Sequence, residues 1–127
     1  MNLQRILYVE DEPDIQVVAK LALEMVGGYQ VMICGGGQEA LDNVSGFAPD
    51  LILLDVMMPG MDGPTTLQKL RADPATAAIP VIFLTAKVQP PEVAQYQELG
   101  ALNVIAKPFD PMTLAEQVRQ IWGGSRD

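Results

Sequence analysis

The sequence predicts an α/β fold in which five parallel strands alternate with helices, and two observations favour it. Apolar runs of four or five residues recur along the chain, and segments with helical spacing separate them. The runs are apolar throughout rather than alternating, which is typical of strands buried on both faces of a parallel sheet. The predicted strands are Ile6–Val9, Gln30–Cys34, Leu51–Leu54, Val81–Leu84 and Asn103–Ala106. Right-handed crossovers then place helices on both faces of one sheet.

Residues at the ends of the intervening segments define the predicted helices. The first helix begins near Pro13, which suits a first helical turn, and ends at Gly27-Gly28. Its buried face is predicted to carry Ile15, Val18, Ala22 and Met25. The next three helices are predicted over Gln38–Ser45, Gly63–Arg71 and Pro91–Leu99, with Gly100 after the last of them.

The fifth helix is predicted from a cap at each end. Asp110 is expected to be its N-cap and Pro111 its first residue, and Gly123-Gly124 is expected to end it. Trp122 falls beside an apolar stripe, so we expect it in the core. We therefore divide the chain into one domain, residues 1–122, and a tail or linker stub, residues 123–127.

Length and composition restrict the classes of function. The 127 residues are 49% hydrophobic and 19% charged, which suits one compact domain with a real core. The absence of histidine excludes a Ser-His-Asp triad, a histidine-ligated zinc site and a phosphohistidine on this chain. A net charge of -8 argues against direct binding of nucleic acid or an anionic membrane. With one cysteine and no apparent transmembrane or signal segment, we expect a cytoplasmic protein.

Polar residues collect where the predicted strands end. Strand one runs into Glu10-Asp11-Glu12, strand three into Asp55, strand four into Thr85 and strand five into Lys107. Open parallel sheets bind ligands outside these carboxyl ends, where the strand order reverses. In the order 2-1-3-4-5, that point lies between strands one and three. We therefore expect the acidic triplet and Asp55 to face each other.

This set of groups is suited to phosphoryl transfer. Clustered carboxylates repel one another without a counter-charge, and Mg²⁺ commonly takes one or two carboxylates together with a phosphate. Asp55 is a possible nucleophile, since carboxylates form acyl phosphates in some proteins. Thr85 would donate a hydroxyl to the phosphoryl group, and Lys107 would supply a positive charge.

Four segments of the chain resemble the response-regulator receiver domain of two-component signalling, of the chemotaxis-regulator type. They are ILYVEDEP, LILLDVMMPGMDG, VIFLTA and AKPF, and the resemblance extends from Arg5 to about Trp122. It implies a flavodoxin-like (βα)5 fold, a phosphoryl group received from a histidine kinase or histidine phosphotransfer protein, and a switch acting on an unknown target or output domain.

The resemblance also implies a role for each site residue. Asp55 matches the phosphoacceptor, while Asp11 and Glu10 match the acids that hold Mg²⁺. Met57 matches the position whose backbone carbonyl completes the metal site. Thr85 matches the switch hydroxyl. Lys107 matches the lysine that receiver domains carry at the end of the fifth strand, and its bond to Pro108 would be cis.

Other family positions concern tuning and partners. Met57 and Lys87 match positions that line the site entrance and tune the phosphoryl lifetime. The helix-one surface around Ile15 and Val18 matches the face that meets the phosphodonor. On helix four, Gln95, Tyr96 and Glu98 are expected to be at least partly outward, on a face that meets targets.

One position departs from the family pattern. Receiver domains usually carry Tyr or Phe three residues before the lysine, and here that residue is Val104. Valine is stiff and lacks a polar tip, so the coupled movement of threonine and aromatic ring is in question. We favour the interpretation that Val104 is ordinary strand core.

Three alternative functions remain at this point. Val104 motivates an interaction module that keeps the fold without using phosphorylation. A Mg²⁺ phosphatase of the haloacid-dehalogenase type also uses Asp, Thr and Lys, but Asp55-Val56-Met57 lacks its second Asp and follows the third strand. A flavin carrier is less favoured still, because Glu10–Glu12 occupies the place of a phosphate-binding loop.

Overall fold

Five parallel strands and five helices alternate along the protein in a computed structural model, which describes residues 2–126 and side chains through residue 123. The strands are β1 (Arg5–Val9), β2 (Gln30–Cys34), β3 (Leu51–Asp55), β4 (Val81–Thr85) and β5 (Asn103–Ala106). The helices are α1 (Pro13–Leu21), α2 (Gly37–Phe47), α3 (Gly63–Ala72), α4 (Pro90–Glu98) and α5 (Leu114–Arg126). Each strand agrees with its predicted bounds to within one residue at either end.

The sheet has the order β2-β1-β3-β4-β5, and every neighbouring pair is parallel. The predicted flavodoxin-like fold is therefore confirmed. Because all strands point the same way, their carboxyl ends share one edge. β1 lies between β2 and β3, so the loops after β1 and β3 are neighbours at that edge.

Side chains alternate across the sheet and form two apolar clusters. On one face, Ile6 and Tyr8 of β1 pack with residues of α1 and α5. On the other face, Leu7 and Val9 pack with residues of α2 and α3. β3 and β4 are buried over their whole length, which explains why their sequences lack polar alternation.

The buried face of the first helix differs from the prediction. Val18 is 40% exposed and Met25 is 78% exposed, whereas Ala19 and Leu23 are fully buried. Val18 and Ala19 both lie in regular α1, where Ala19 rather than Val18 faces the core. After them, a π-helical segment, Ala22–Val26, continues the helix and places an extra residue in its turn. The helical period that links Val18 to Met25 therefore breaks, although Gly27-Gly28 still ends the segment as predicted.

Both predicted caps of the fifth helix need correction. Asp110 does accept a hydrogen bond from the Met112 amide at 2.9 Å, but residues 111–113 form a turn and the regular helix begins at Leu114. At the other end, α5 continues through Arg126, past the glycines expected to stop it. Trp122 is buried in the first cluster, as predicted. The division at residue 122 stays a prediction, and Met1 and Asp127 lie outside the described residues.

α4 is the most weakly buried helix of the fold. None of its residues is fully buried, and its C-terminal end is followed by Gly100 with φ +112°, as the sequence predicts. Gln95 and Glu98 are exposed, but Tyr96 is half-buried and meets the Phe83 ring edge-on at 5.2 Å between centroids. Within residues 2–126, no helix has the length and apolar character needed to span a membrane.

Candidate functional site

Three carboxylates meet at the switch point of the sheet. Glu10 and Asp11 follow β1, Asp55 ends β3, and one oxygen from each lies within 4.8 Å of the others. Glu10 and Asp55 are buried, while Asp11 is half-buried. Hard divalent cations prefer oxygen ligands, and this spacing allows three carboxylates to share one ion. The donor set therefore fits the predicted Mg²⁺ site.

Lys107 places an ammonium group between two of these acids. Its Nζ donates to Glu10 Oε1 at 3.0 Å and to Asp55 Oδ2 at 3.1 Å. Lys107 follows β5, and its backbone amide donates to the Thr85 carbonyl at 2.9 Å. The Lys107–Pro108 peptide bond is cis, as the resemblance implied.

Burial and charge act in opposite directions on this pair. Burial raises the pKa of the Glu10 carboxyl, the Asp55 charge raises it further, and the hydrogen bond from Lys107 partly offsets both. For Lys107, burial alone would lower the pKa, but the hydrogen bonds to Glu10 and Asp55 outweigh it and raise the pKa. The site thus holds excess negative charge and a firmly protonated lysine.

Backbone contacts around Glu10 fix the start of α1 beside the site. The Glu12 amide donates to Glu10 Oε2 at 3.2 Å, and Gln16 Nε2 donates to the Glu10 carbonyl at 2.6 Å. Glu10 therefore has an N–H or ammonium partner on each carboxylate oxygen. Gln16 was not predicted as a site residue, because its contact with Glu10 depends on the angle between α1 and β1.

Thr85 ends β4 and is buried next to β3, the strand that ends at Asp55. It pairs in register with Ala106, and β3 pairs Asp55 with Leu84. The Thr85 Oγ1 accepts a hydrogen bond from the Lys87 amide at 3.1 Å, so the hydroxyl keeps its own proton for donation. Thr85 makes no hydrogen bond to the carboxylates among the described residues.

The loop after β3 brings a glycine against Asp55. A side chain at Gly63 would collide with the Asp55 carbonyl oxygen and the Val56 Cα, and the Gly63 amide donates to the Val56 carbonyl at 3.0 Å. Gly63 is thus a positioning residue that the sequence placed only as a helix start. The Met57 side chain is 76% exposed, and Lys87 is exposed too, in agreement with positions at an entrance.

Val104 lies half-buried on β5 and packs against the second apolar cluster. It pairs in register with Phe83 of β4. Val104 therefore packs at the margin of the core, which agrees in part with the expectation that it is strand core. The nearest aromatic pair on this face is Phe83 with Tyr96, and the tyrosine comes from α4 rather than β5.

Residues 6–119 match the family of response regulator receiver domains. The chain belongs to this family. Among curated relatives, the DNA-binding response regulator MtrA of Mycolicibacterium smegmatis is 39% identical over 116 residues, which cover 91% of this chain and 49% of MtrA. The DNA-binding dual master transcriptional regulator RpaA of Synechocystis is 41% identical over 123 residues, covering 92% and 48%. This receiver domain thus spans about half the length of these relatives.

Solved structures agree with the fold. Chemotaxis response regulator CheY4 of Vibrio cholerae matches with a TM-score of 0.86 at 28% identity, covering 94% of this chain and 99% of CheY4. The signal receiver domain of a signal transduction histidine kinase from Syntrophus aciditrophicus matches with a TM-score of 0.80 at 39% identity, covering 95% and 91%. Receiver domains are signalling switches, and this membership disfavours the phosphatase and flavin-carrier alternatives.

Proposed function

We propose that this receiver domain accepts a phosphoryl group on Asp55, with Mg²⁺ held by Glu10, Asp11, Asp55 and the Met57 carbonyl. One observation carries the proposal: the buried Asp55 carboxylate shares one site with two further acids and the Lys107 ammonium. Bound Mg²⁺ would neutralise charge on the carboxylates and on the phosphoryl oxygens.

Each protein group then has a defined part in the transfer. An Asp55 oxygen forms the new P–O bond while the P–N bond of a phosphohistidine breaks. The electron pair of that bond stays on the ring nitrogen, so a phosphohistidine that is protonated on its other ring nitrogen departs as neutral imidazole. Lys107 Nζ, which already contacts Asp55, neutralises the oxygens of the arriving group. Thr85 donates its free hydroxyl proton to one of them. Catalysis by this chain is limited to its own phosphorylation and dephosphorylation.

The phosphohistidine must lie on a partner, because this chain has no histidine. A cavity of about 220 Å³ lies next to Lys107 and is lined by Ile15, Val18, Pro108 and Phe109. Its apolar walls would receive a helix of a histidine kinase or phosphotransfer protein beside the phosphoacceptor. We infer a cytoplasmic setting, since such donors act there and Cys34 is unpaired.

Phosphorylation would then switch a surface that contacts a target or an output domain. The relatives MtrA and RpaA are DNA-binding regulators of about twice this length. This acidic domain does not itself suit DNA, so a DNA-binding role would need a separate domain.

Phosphorylation of Asp55 is tested by intact mass after incubation with Mg²⁺ and acetyl phosphate. We expect the parent protein and the matched variant Asp42→Asn, an exposed site on α2, to gain one phosphoryl group. Asp55→Asn should gain none, and chelation of Mg²⁺ should abolish the gain in the parent protein and in Asp42→Asn. Undiminished phosphorylation of Asp55→Asn would refute the proposal.

A second candidate function, a phosphorylation-independent interaction module, is favoured only by Val104. Beryllofluoride with Mg²⁺ mimics a phosphoryl group, so it separates the two functions by NMR. Amide shifts that change around Thr85 and along α4 would support the switch. Shifts confined to the loops that carry the three acids would support the module.

A further inference from the structure

Tyr8 is a fully buried tyrosine whose hydroxyl has no hydrogen-bond partner among the described residues. Such an unpaired hydroxyl is costly inside a protein, and phenylalanine would fill the same space without that cost. Arg5 Nε is the other buried side-chain polar atom that lacks a hydrogen bond in the described part of the chain, and it belongs to a guanidinium that lies 4.7 Å from the centre of the Phe47 ring. Core packing alone therefore does not explain the Tyr8 hydroxyl.

The position of Tyr8 on β1 relates this hydroxyl to the acidic site. Tyr8 faces α1 and α5 within the first cluster, and Glu10 follows two residues later in the alternation of the strand. Burial raises the pKa of Tyr8, and the nearby charges of Glu10 and Asp55 raise it further. The phenol therefore keeps its proton and remains a donor on the strand face that continues to Glu10.

The hydrogen bonds of Glu10 would change if the site held a cation. Lys107 now donates to Glu10 Oε1, and its ammonium competes for that carboxylate with any cation shared by Glu10, Asp11 and Asp55. If a cation displaced Lys107, Glu10 would keep the Glu12 amide on Oε2, and its carboxylate could accept a further hydrogen bond. Ligating carboxylates are generally oriented by such hydrogen bonds. The described residues leave one buried donor unused on this face of the sheet, and it is the Tyr8 hydroxyl.

We propose that Tyr8 is a positioning residue of the cation-loaded site, in which its hydroxyl donates a hydrogen bond to the Glu10 carboxylate. The inference rests on the Mg²⁺ site of the proposed function and adds a residue to it. The Tyr8 hydroxyl, which has no hydrogen-bond partner among the described residues, then gains one when a cation binds. Tyr8 therefore favours the loaded state.

The test compares the parent protein, Tyr8→Phe and Tyr29→Phe by urea unfolding with and without MgCl₂. Tyr29 precedes β2 at the opposite edge of the sheet, so Tyr29→Phe makes the same chemical change away from the acids. Without Mg²⁺ we expect Tyr8→Phe to be as stable as the parent, or more so. Its Mg²⁺ affinity, obtained from the stabilisation by Mg²⁺, should fall about tenfold, and that of Tyr29→Phe should not change.

Tyrosine absorbance supplies a readout that a purely structural role would not affect. Adding Mg²⁺ should give a difference spectrum in the parent and in Tyr29→Phe that is missing from Tyr8→Phe. Equal Mg²⁺ affinity and equal difference spectra in all three proteins would overturn the role of Tyr8 alone. A parent protein that Mg²⁺ does not stabilise would overturn the cation site itself.

Discussion

Lys107 is the residue that balances the charge of the two buried acids. Its ammonium is the counter-charge within hydrogen-bond reach of the buried Glu10 and Asp55 among the described residues. Removing one partner from such a group leaves uncompensated charge in a poorly solvated place, which costs more than the intact pair contributes. The Mg²⁺ ion of the proposed function would perform the same task for these acids.

Lys107→Met should therefore make stability depend strongly on Mg²⁺. We expect the variant to lose about 2–3 kcal/mol of unfolding free energy without Mg²⁺, since two buried carboxylates lose their ammonium partner. Saturating Mg²⁺ should restore most of that loss, because the ion supplies the missing positive charge. Urea unfolding with MgCl₂ or EDTA measures both values, and a loss of the same size in both conditions would contradict the explanation.

At the scale of elements, the start of α3 depends on a single side chain. Asp62 is the N-cap, and its Oδ1 accepts a hydrogen bond from the Thr65 amide at 2.9 Å. Hydrogen bonding to Thr65 lowers the pKa of Asp62 below its usual value. Because α3 begins where Gly63 contacts the Asp55 backbone, this cap also fixes the loop beside the site.

Asp62→Ala should destabilise the protein by about 1 kcal/mol at neutral pH, the usual value of an N-cap. A group whose pKa is lower in the folded state contributes stability above its unfolded pKa and loses it as the pH falls through the folded value. The difference between parent and variant should thus stay constant from pH 7 to about 5 and shrink below about 4. Unfolding curves over this range test it.

Asp62→Asn provides the matched control, since asparagine is also a good N-cap but does not titrate. It should retain most of the stability at pH 7. A destabilisation by Asp62→Asn as large as that by Asp62→Ala would show that the charge, rather than the cap, stabilises α3.

Strands were predicted more accurately than helix details, and the reason is physical. A strand buried on both faces, such as Leu51–Asp55, is apolar regardless of its neighbours. The side of α1 that meets the sheet depends instead on tertiary packing, which buries Ala19 and leaves Val18 exposed. Met25 lies in a π-helical segment that no local residue pattern marks. Likewise, α5 continues past Gly123, since a glycine weakens a helix by only about 1 kcal/mol and does not have to end it.

At the scale of the whole molecule, the parallel topology assembles the site from distant parts of the sequence. Glu10, Asp55 and Lys107 were predictable because each follows a strand, and every strand ends at the same edge. Residues whose contacts depend on how a helix packs against the sheet were not predictable. Gln16 contacts the Glu10 carbonyl from α1. Tyr8 has the sequence pattern of an ordinary core residue, and only the structure shows that its hydroxyl lacks a hydrogen-bond partner among the described residues.

Stability is distributed unevenly over the same fold, which bears on where a switch can act. β1, β3 and β4 are enclosed between two apolar clusters, whereas α4 buries no residue fully and is held through Tyr96 and the Arg71 bond to the Gly100 carbonyl. Local opening should therefore require least energy at α4. α4 also follows Thr85 along the chain. Between them lies Lys87, whose amide donates a hydrogen bond to the Thr85 hydroxyl.

Amide hydrogen exchange should show this difference directly. We expect amides in the middle of α4 to exchange at least about a hundredfold faster than those of β3, because they open locally instead of by global unfolding. Tyr96→Ala should increase exchange in α4 further, by removing the contact with Phe83, and leave β1 nearly unchanged. Exchange in α4 as slow as in β3 would mean that this helix is held by the core, and a switch acting through its displacement would then have to unfold part of the core as well.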